Sequence, residues 1–98
     1  DYPGVSPLHC FLKDVKRARY TAASDEDALN AYKLVTKYEN LKPSLEPSHA
    51  FSVAIKEARK LSKDTIIIVN SCGDAHKDRA ILEKRLGKKY AKFNWPYI

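Results

Sequence analysis

A cysteine and a histidine four residues apart are the most reactive pair of side chains in the C-terminal half. Cys72 follows the apolar run Ile66–Val69, and His76 is close enough in sequence to act as its base. Amide N–H groups and the helix dipole would favour a thiolate where a strand turns into a helix. However, the cysteine phosphatase signature places its arginine one residue closer than Arg79 lies to Cys72. The spacing therefore favours an ordinary loop cysteine over a nucleophile.

Metal binding is conceivable from residue types alone, since imidazoles and thiols are common ligands. The candidates are His9, Cys10, His49, Cys72 and His76. Only Cys72 and His76 share a predicted loop, and two ligands do not close a tetrahedral zinc site. Neither cysteine belongs to a C-x-x-C pair, so the sequence predicts neither a zinc ribbon nor a disulfide framework. A reducing, cytoplasmic setting fits this cysteine usage best.

The surrounding pattern predicts helices over residues 7–15, 25–39, 48–62 and 77–86, because apolar residues recur there at helical spacing behind capping residues. It predicts strands over 19–23 and 65–70. The second strand lacks alternation of apolar and polar residues, as is typical of a parallel strand covered on both faces. The order of elements predicts an α/β fold, a short parallel sheet flanked by helices. Ligands gather at the carboxyl ends of such strands, which here is the loop 71–74.

The formal net charge of +6 on 98 residues lies entirely in the second half of the chain. The last eleven residues form a basic and aromatic tail, 88–98, which could bind single-stranded nucleic acid or an acidic partner. No RNP-type, KH or helix-turn-helix pattern accompanies the tail, and its aromatic rings could instead dock on the chain's own core. Ile66–Val69 is the longest apolar run and is far short of the ~20 residues of a membrane span.

Three separated motifs resemble one family in their order and spacing. DYPGVSPLH (1–9) is similar to L-D-[YF]-P-x-V-G-P-x-H, SLEPSHA (44–50) to A-L-E-S-S-H-A, and IVNSCGDAHKD (68–78) to V-V-N-L-S-G-R-G-D-K-D. Between them, ARYTAASDEDALNAYKLV resembles A-x-Y-x-x-[VI]-[TS]-D-x-E-A-L-x-A-F-x-x-L. These are patterns of the C-terminal part of tryptophan synthase beta chains, and the resemblance covers residues 1 to about 86.

The resemblance implies a fold-type II pyridoxal-phosphate enzyme, a lyase that makes tryptophan from indole and serine by β-replacement. Glu46 matches the catalytic glutamate beside the cofactor, and Asp1 matches an aspartate that pairs with an arginine when the site closes. Cys72, followed by Gly73, matches the serine that contacts the pyridine nitrogen, although a thiol is a weaker hydrogen-bonding group. The backbone carbonyls of Tyr2 and Gly4 match ligands of a monovalent cation, Na⁺ or K⁺.

The resemblance also implies that the chain is a fragment, with residues 1–87 as a single α/β piece and 88–98 as the tail. The Schiff-base lysine and the phosphate-binding loop belong to earlier parts of the family's chain, so we expect the fragment to be inactive alone. Its expected partners are the remainder of the beta chain and either an alpha chain or a second beta chain. The sequence departs from the family at Ser6, Pro47 and residues 74–76. The alternative function is a small basic binding module.

Overall fold

The computed structural model describes residues 4–92, which fold around four α-helices. These are α1 (Pro7–Asp14), α2 (Asp25–Glu39), α3 (Leu45–Ala58) and α4 (Arg79–Leu86). Two 3₁₀ turns, Ala75–Asp78 and Lys88–Ala91, precede and follow α4. None of the helices within residues 4–92 is long and apolar enough to cross a membrane.

Helix α2 begins and ends where its local sequence predicts. The Ser24 hydroxyl accepts a hydrogen bond from the Asp27 N–H at 3.1 Å, and the Asp27 carboxylate accepts one from the Ser24 N–H at 3.2 Å. This reciprocal capping box satisfies two of the N–H groups that a helix start leaves unpaired. At the other end, Asn40 adopts a left-handed conformation with φ of 54° and stops the helix.

Helix α3 begins three residues before the predicted start. The sequence predicts a helix over 48–62, but the helix starts at Leu45 and includes Pro47 in its first turn, where a missing N–H does no harm. Ser48 is instead buried inside the helix, and its hydroxyl donates to the Ser44 carbonyl at 2.8 Å. The helix therefore carries Glu46 in its first turn.

The predicted α/β fold is wrong, because residues 4–92 contain no strand and no sheet. Pro43 and Asp74 form an isolated antiparallel bridge, and neither 19–23 nor 65–70 pairs with another segment of the described chain. A strand exists only when a neighbour takes up its backbone hydrogen bonds. Ile66 and Ile68 are consequently 86% and 91% exposed instead of buried in a parallel sheet.

The core lies where α2 meets α4 and the two 3₁₀ turns. Tyr32 is fully buried there, and its hydroxyl donates to the Tyr90 carbonyl at 2.9 Å. Burial raises the pKa of the Tyr32 phenol. The buried apolar cluster consists of Leu29, Tyr32, Ala75, Leu82 and Ala91. Helix α1 adds nothing to this core, since none of its residues is buried.

Candidate functional site

Two segments far apart in sequence are joined at the start of α3. We call residues 42–46 and 72–78 together the junction. The Ser44 hydroxyl donates to the Cys72 carbonyl at 3.0 Å, and the Ala75 N–H donates to the Lys42 carbonyl at 3.0 Å. The bridge between Pro43 and Asp74 lies between these two bonds. The junction therefore brings together the segments that carry Glu46 and Cys72.

The N-terminus of α3 is capped from across the junction. Ser44 occupies the capping position, but its side chain makes no capping bond, because its hydroxyl is directed to Cys72. The Asp78 carboxylate takes its place and accepts from the Leu45 N–H at 2.8 Å. Asp78 is only 8% exposed, and a negative charge at a helix N-terminus also complements the helix dipole. Asp78 therefore ties the last turn of the junction to the helix that carries Glu46.

Glu46 is held in an ion pair with Lys77, whose ammonium donates to the carboxylate Oε1. This hydrogen bond, supported by the backbone N–H of Glu46, lowers the pKa of the Glu46 carboxyl to about 2. The same bond raises the pKa of the Lys77 ammonium. Both side chains are partly exposed, at 42% for Glu46 and 52% for Lys77. Glu46 is therefore a carboxylate that solvent or a ligand can reach.

Cys72 and Gly73 form the opposite side of the junction. The Cys72 thiol is exposed and forms no disulfide. Gly73 has a φ of +75°, a left-handed conformation that glycine adopts without strain. A Cβ on Gly73 would lie 3.5 Å from the Ser44 Oγ, which is ordinary contact. The backbone conformation, and not the available space, favours glycine here.

A cleft of about 700 Å³ opens beside α3 and α4, and Glu46 lies in its wall. His49, one turn further along α3, lines the same cleft. Its Nδ1 donates to the Leu45 carbonyl at 2.8 Å, and its Nε2 lies 3.6 Å from an Asp25 carboxylate oxygen. The basic Lys84 and Arg85 of α4 complete the charged part of the wall.

The other predicted site residues lie elsewhere or outside the described part of the chain. Asp1 and Tyr2 fall outside residues 4–92, and Gly4 is exposed. The Nδ1 of His9 forms a hydrogen bond with the Tyr20 hydroxyl at 2.9 Å. Within residues 4–92, no group of three His, Cys, Asp or Glu residues could hold a metal ion. The assignments of the cation ligands and of Asp1 therefore stay predictions.

Sequence reasoning missed Lys77 and Asp78, although both lie in the third motif. Their side chains contact residues more than thirty positions earlier, so local pattern does not show what they hold. The available signal was their place in the motif next to Cys72, which could have marked them as site residues.

The junction suits one end of pyridoxal phosphate. An exposed thiol can donate a weak, neutral hydrogen bond to a pyridine nitrogen. The ionised Glu46 belongs to the same junction and supplies negative charge. The thiol of Cys72 is therefore a side chain of the junction that could contact the pyridine nitrogen of the cofactor.

The start of the basic tail packs on the core. Ala91 is buried, and Tyr90 packs against the apolar cluster with the Lys89 ammonium 4.8 Å from its ring centroid. The Lys42 ammonium donates to the Lys92 carbonyl. These contacts agree with an aromatic extension that docks on its own chain, whereas Phe93, Trp95 and Tyr97 lie outside the described residues.

Two similar proteins found by comparison with known sequences belong to the same family. No protein-family model matches the chain. The tryptophan synthase beta chain of Fusobacterium nucleatum subsp. nucleatum is 49% identical over 89 residues, which is 91% of this chain and 22% of the relative. That of Allorhizobium ampelinum is 46% identical over 87 residues, 89% of this chain and 21% of the relative. The chain thus spans about a fifth of the length of these curated relatives. The resemblance carried by the three motifs is confirmed: the chain is homologous to a segment of the tryptophan synthase beta chain.

Proposed function

We propose that this chain forms the pyridine-side wall of the active site in a tryptophan synthase beta chain that uses pyridoxal phosphate. The observation that carries the proposal is the junction, which joins the Glu46 segment to the Cys72 segment through the bond between Ser44 and the Cys72 carbonyl. These are the two segments to which the resemblance assigns the cofactor-adjacent glutamate and the pyridine contact. The reaction proposed for the whole enzyme is β-replacement, which makes L-tryptophan from indole and L-serine.

In this proposal the two side chains have different tasks. The bound cofactor would supply the electron sink for chemistry at the amino acid's α- and β-carbons. Cys72 would orient the ring through a neutral contact that leaves the pyridine nitrogen less protonated than an aspartate would. Glu46, held ionised by Lys77, would place negative charge beside the ring and would not itself carry a proton while the ion pair lasts.

We also propose that the chain works as part of a longer polypeptide. It matches only about a fifth of each relative, and it exposes large apolar side chains that a monomeric protein usually covers. Ile68 is 91% exposed, and Leu8 and Phe11 of α1 are 61% and 58% exposed. The proposed partners are the remainder of a beta chain, together with an alpha chain or a second beta chain. A monovalent cation, Na⁺ or K⁺, belongs to the same proposal.

A segment exchange tests this function. The part of this chain that matches the Fusobacterium relative would replace the matching 89 residues of that relative. Tryptophan formation from indole and serine would then be measured with added cofactor. We expect the exchanged enzyme to make tryptophan, its Glu46→Ala variant to lose most of the activity, and the exposed control Glu39→Ala to keep it. The 98-residue chain alone should form no tryptophan. A folded exchanged enzyme that binds the cofactor but makes no tryptophan would refute the proposal.

A further inference from the structure

We propose that Lys77 is the positioning residue for Glu46 and holds its carboxylate in one orientation within the junction. The part of this inference that concerns catalysis rests on the proposed function, whereas the part that concerns the ion pair does not. The motif resemblance assigns no role to Lys77. Its role follows from how the 3₁₀ turn Ala75–Asp78 is fixed against α3.

The residues on both sides of Lys77 are held by hydrogen bonds. On one side, the His76 N–H donates to the Asp74 carboxylate at 2.8 Å. On the other, the Asp78 carboxylate accepts from the Leu45 N–H at 2.8 Å. Adjacent residues of the turn therefore hold adjacent residues of the helix, since Asp78 binds Leu45 while Lys77 binds Glu46. A lysine on an anchored turn loses less freedom when it forms an ion pair than one on a mobile loop.

The start of the 3₁₀ turn that carries Lys77 is also attached to the segment before α3. Ala75 is fully buried and its N–H donates to the Lys42 carbonyl at 3.0 Å, so the start of the turn is tied to the segment that leads into α3. These bonds consequently fix the backbone of Lys77 relative to the backbone of Glu46. This geometry distinguishes the pair from an ordinary surface ion pair, in which two long side chains meet without fixed bases.

Charges of both signs surround Glu46, and Lys77 is the cation in contact with it. Asp25, His49 and Asp78 line the same cleft, as do Lys84 and Arg85 of α4. The Lys77 ammonium is the leading cause of the low pKa of the Glu46 carboxyl, ahead of the helix N–H. Removing Lys77 should therefore free the carboxylate both to rotate and to take up a proton at a higher pH.

A carboxyl titration tests the positioning directly. The side-chain ¹³C resonance of Glu46 would be followed with pH in the 98-residue chain, over the range in which its helical signal persists. We expect the wild-type carboxyl to stay ionised well below the ordinary glutamate value of 4.5, and Lys77→Met to titrate at a clearly higher pH than the wild type. Lys77→Arg should restore a low value. The matched control is Lys60→Met, which removes one of the two cationic partners of Glu57, a carboxylate on the same helix as Glu46, and should leave Glu46 unchanged.

The wild-type measurement keeps the test decisive even if a variant does not fold. A wild-type midpoint near 4.5, or one that Lys77→Met leaves in place, would overturn the inference. In the exchanged enzyme, Lys77→Met should lower kcat about tenfold with little change in KM, because a displaced group loses alignment more than affinity. It should also shift the acid limb of the kcat profile to higher pH, and Lys77→Arg should reverse both effects.

The two readouts separate the two proposals. If the exchanged enzyme makes no tryptophan, the proposed function fails, while the titration still decides whether Lys77 holds Glu46. If the enzyme is active and Lys77→Met changes neither the titration nor the pH profile, the positioning role alone is refuted.

Discussion

Substitution of Asp78 tests the view that α3 is capped from across the junction. Asp78→Ala removes the carboxylate that accepts from the Leu45 N–H at 2.8 Å, and at 8% exposure little water is available to replace it. Loss of a helix cap costs about 0.5–2 kcal/mol, and a hydrogen bond to a charged group contributes about 1.5–3 kcal/mol. We therefore expect the free energy of unfolding to fall by about 2 kcal/mol. For a chain of this size the melting temperature should drop by roughly 8–16 °C.

The assay is urea unfolding followed by far-ultraviolet circular dichroism, with two comparison variants. Asp78→Asn keeps an oxygen that can accept from Leu45 but loses the charge, so it should cost about half as much as Asp78→Ala. Ser44→Ala removes the bond to the Cys72 carbonyl and a weaker interaction with the Glu46 carboxylate, and should cost about 1 kcal/mol. If Asp78→Ala stays within about 0.5 kcal/mol of wild type, as exposed substitutions do, the cross-junction cap does not stabilise α3. A larger cost for Ser44→Ala than for Asp78→Ala would mean that the bond from Ser44 to the Cys72 carbonyl stabilises the junction more than the Asp78 cap does.

Three further outcomes follow from the described contacts. The pKa values of Asp27 and Glu46 are about 2 in the folded chain, below the ordinary 3.8 and 4.5. The stability that these carboxylates give the fold is therefore complete above about pH 5 and is lost as pH falls toward 2. Urea unfolding at pH 6 and pH 3 should show this decrease in stability and Asp27→Asn should make it smaller, whereas equal stability at both pH values would contradict the assignment. Gly73→Ala should cost about 1–2 kcal/mol because a left-handed φ of +75° strains other residues, whereas Gly4→Ala, at an open position, should change the melting temperature little. The exposed apolar segment 65–70 should make the isolated chain self-associate, and sedimentation as a monomer at high micromolar concentration would count against this.

Features of the fold that depend on near neighbours in sequence were predictable. The capping box of Ser24 and Asp27 involves residues three positions apart, and Asn40 and Gly87 end their helices through their own backbone conformations. The motif pattern likewise pointed to Glu46 and Cys72 from the sequence. Whether these residues carry the proposed roles is a question for the experiments above.

Features that depend on distant partners required the three-dimensional structure. The apolar pattern at 65–70 indicated a strand, yet a strand also needs a neighbour to accept its hydrogen bonds, and the described chain offers none. Helix α3 starts at Leu45 and not after Ser48, because Asp78 supplies the cap while Ser44 turns to Cys72. Periodicity and capping propensity record what a segment can do locally. Which of two competing partners a side chain takes is decided only when residues some thirty positions apart come into contact.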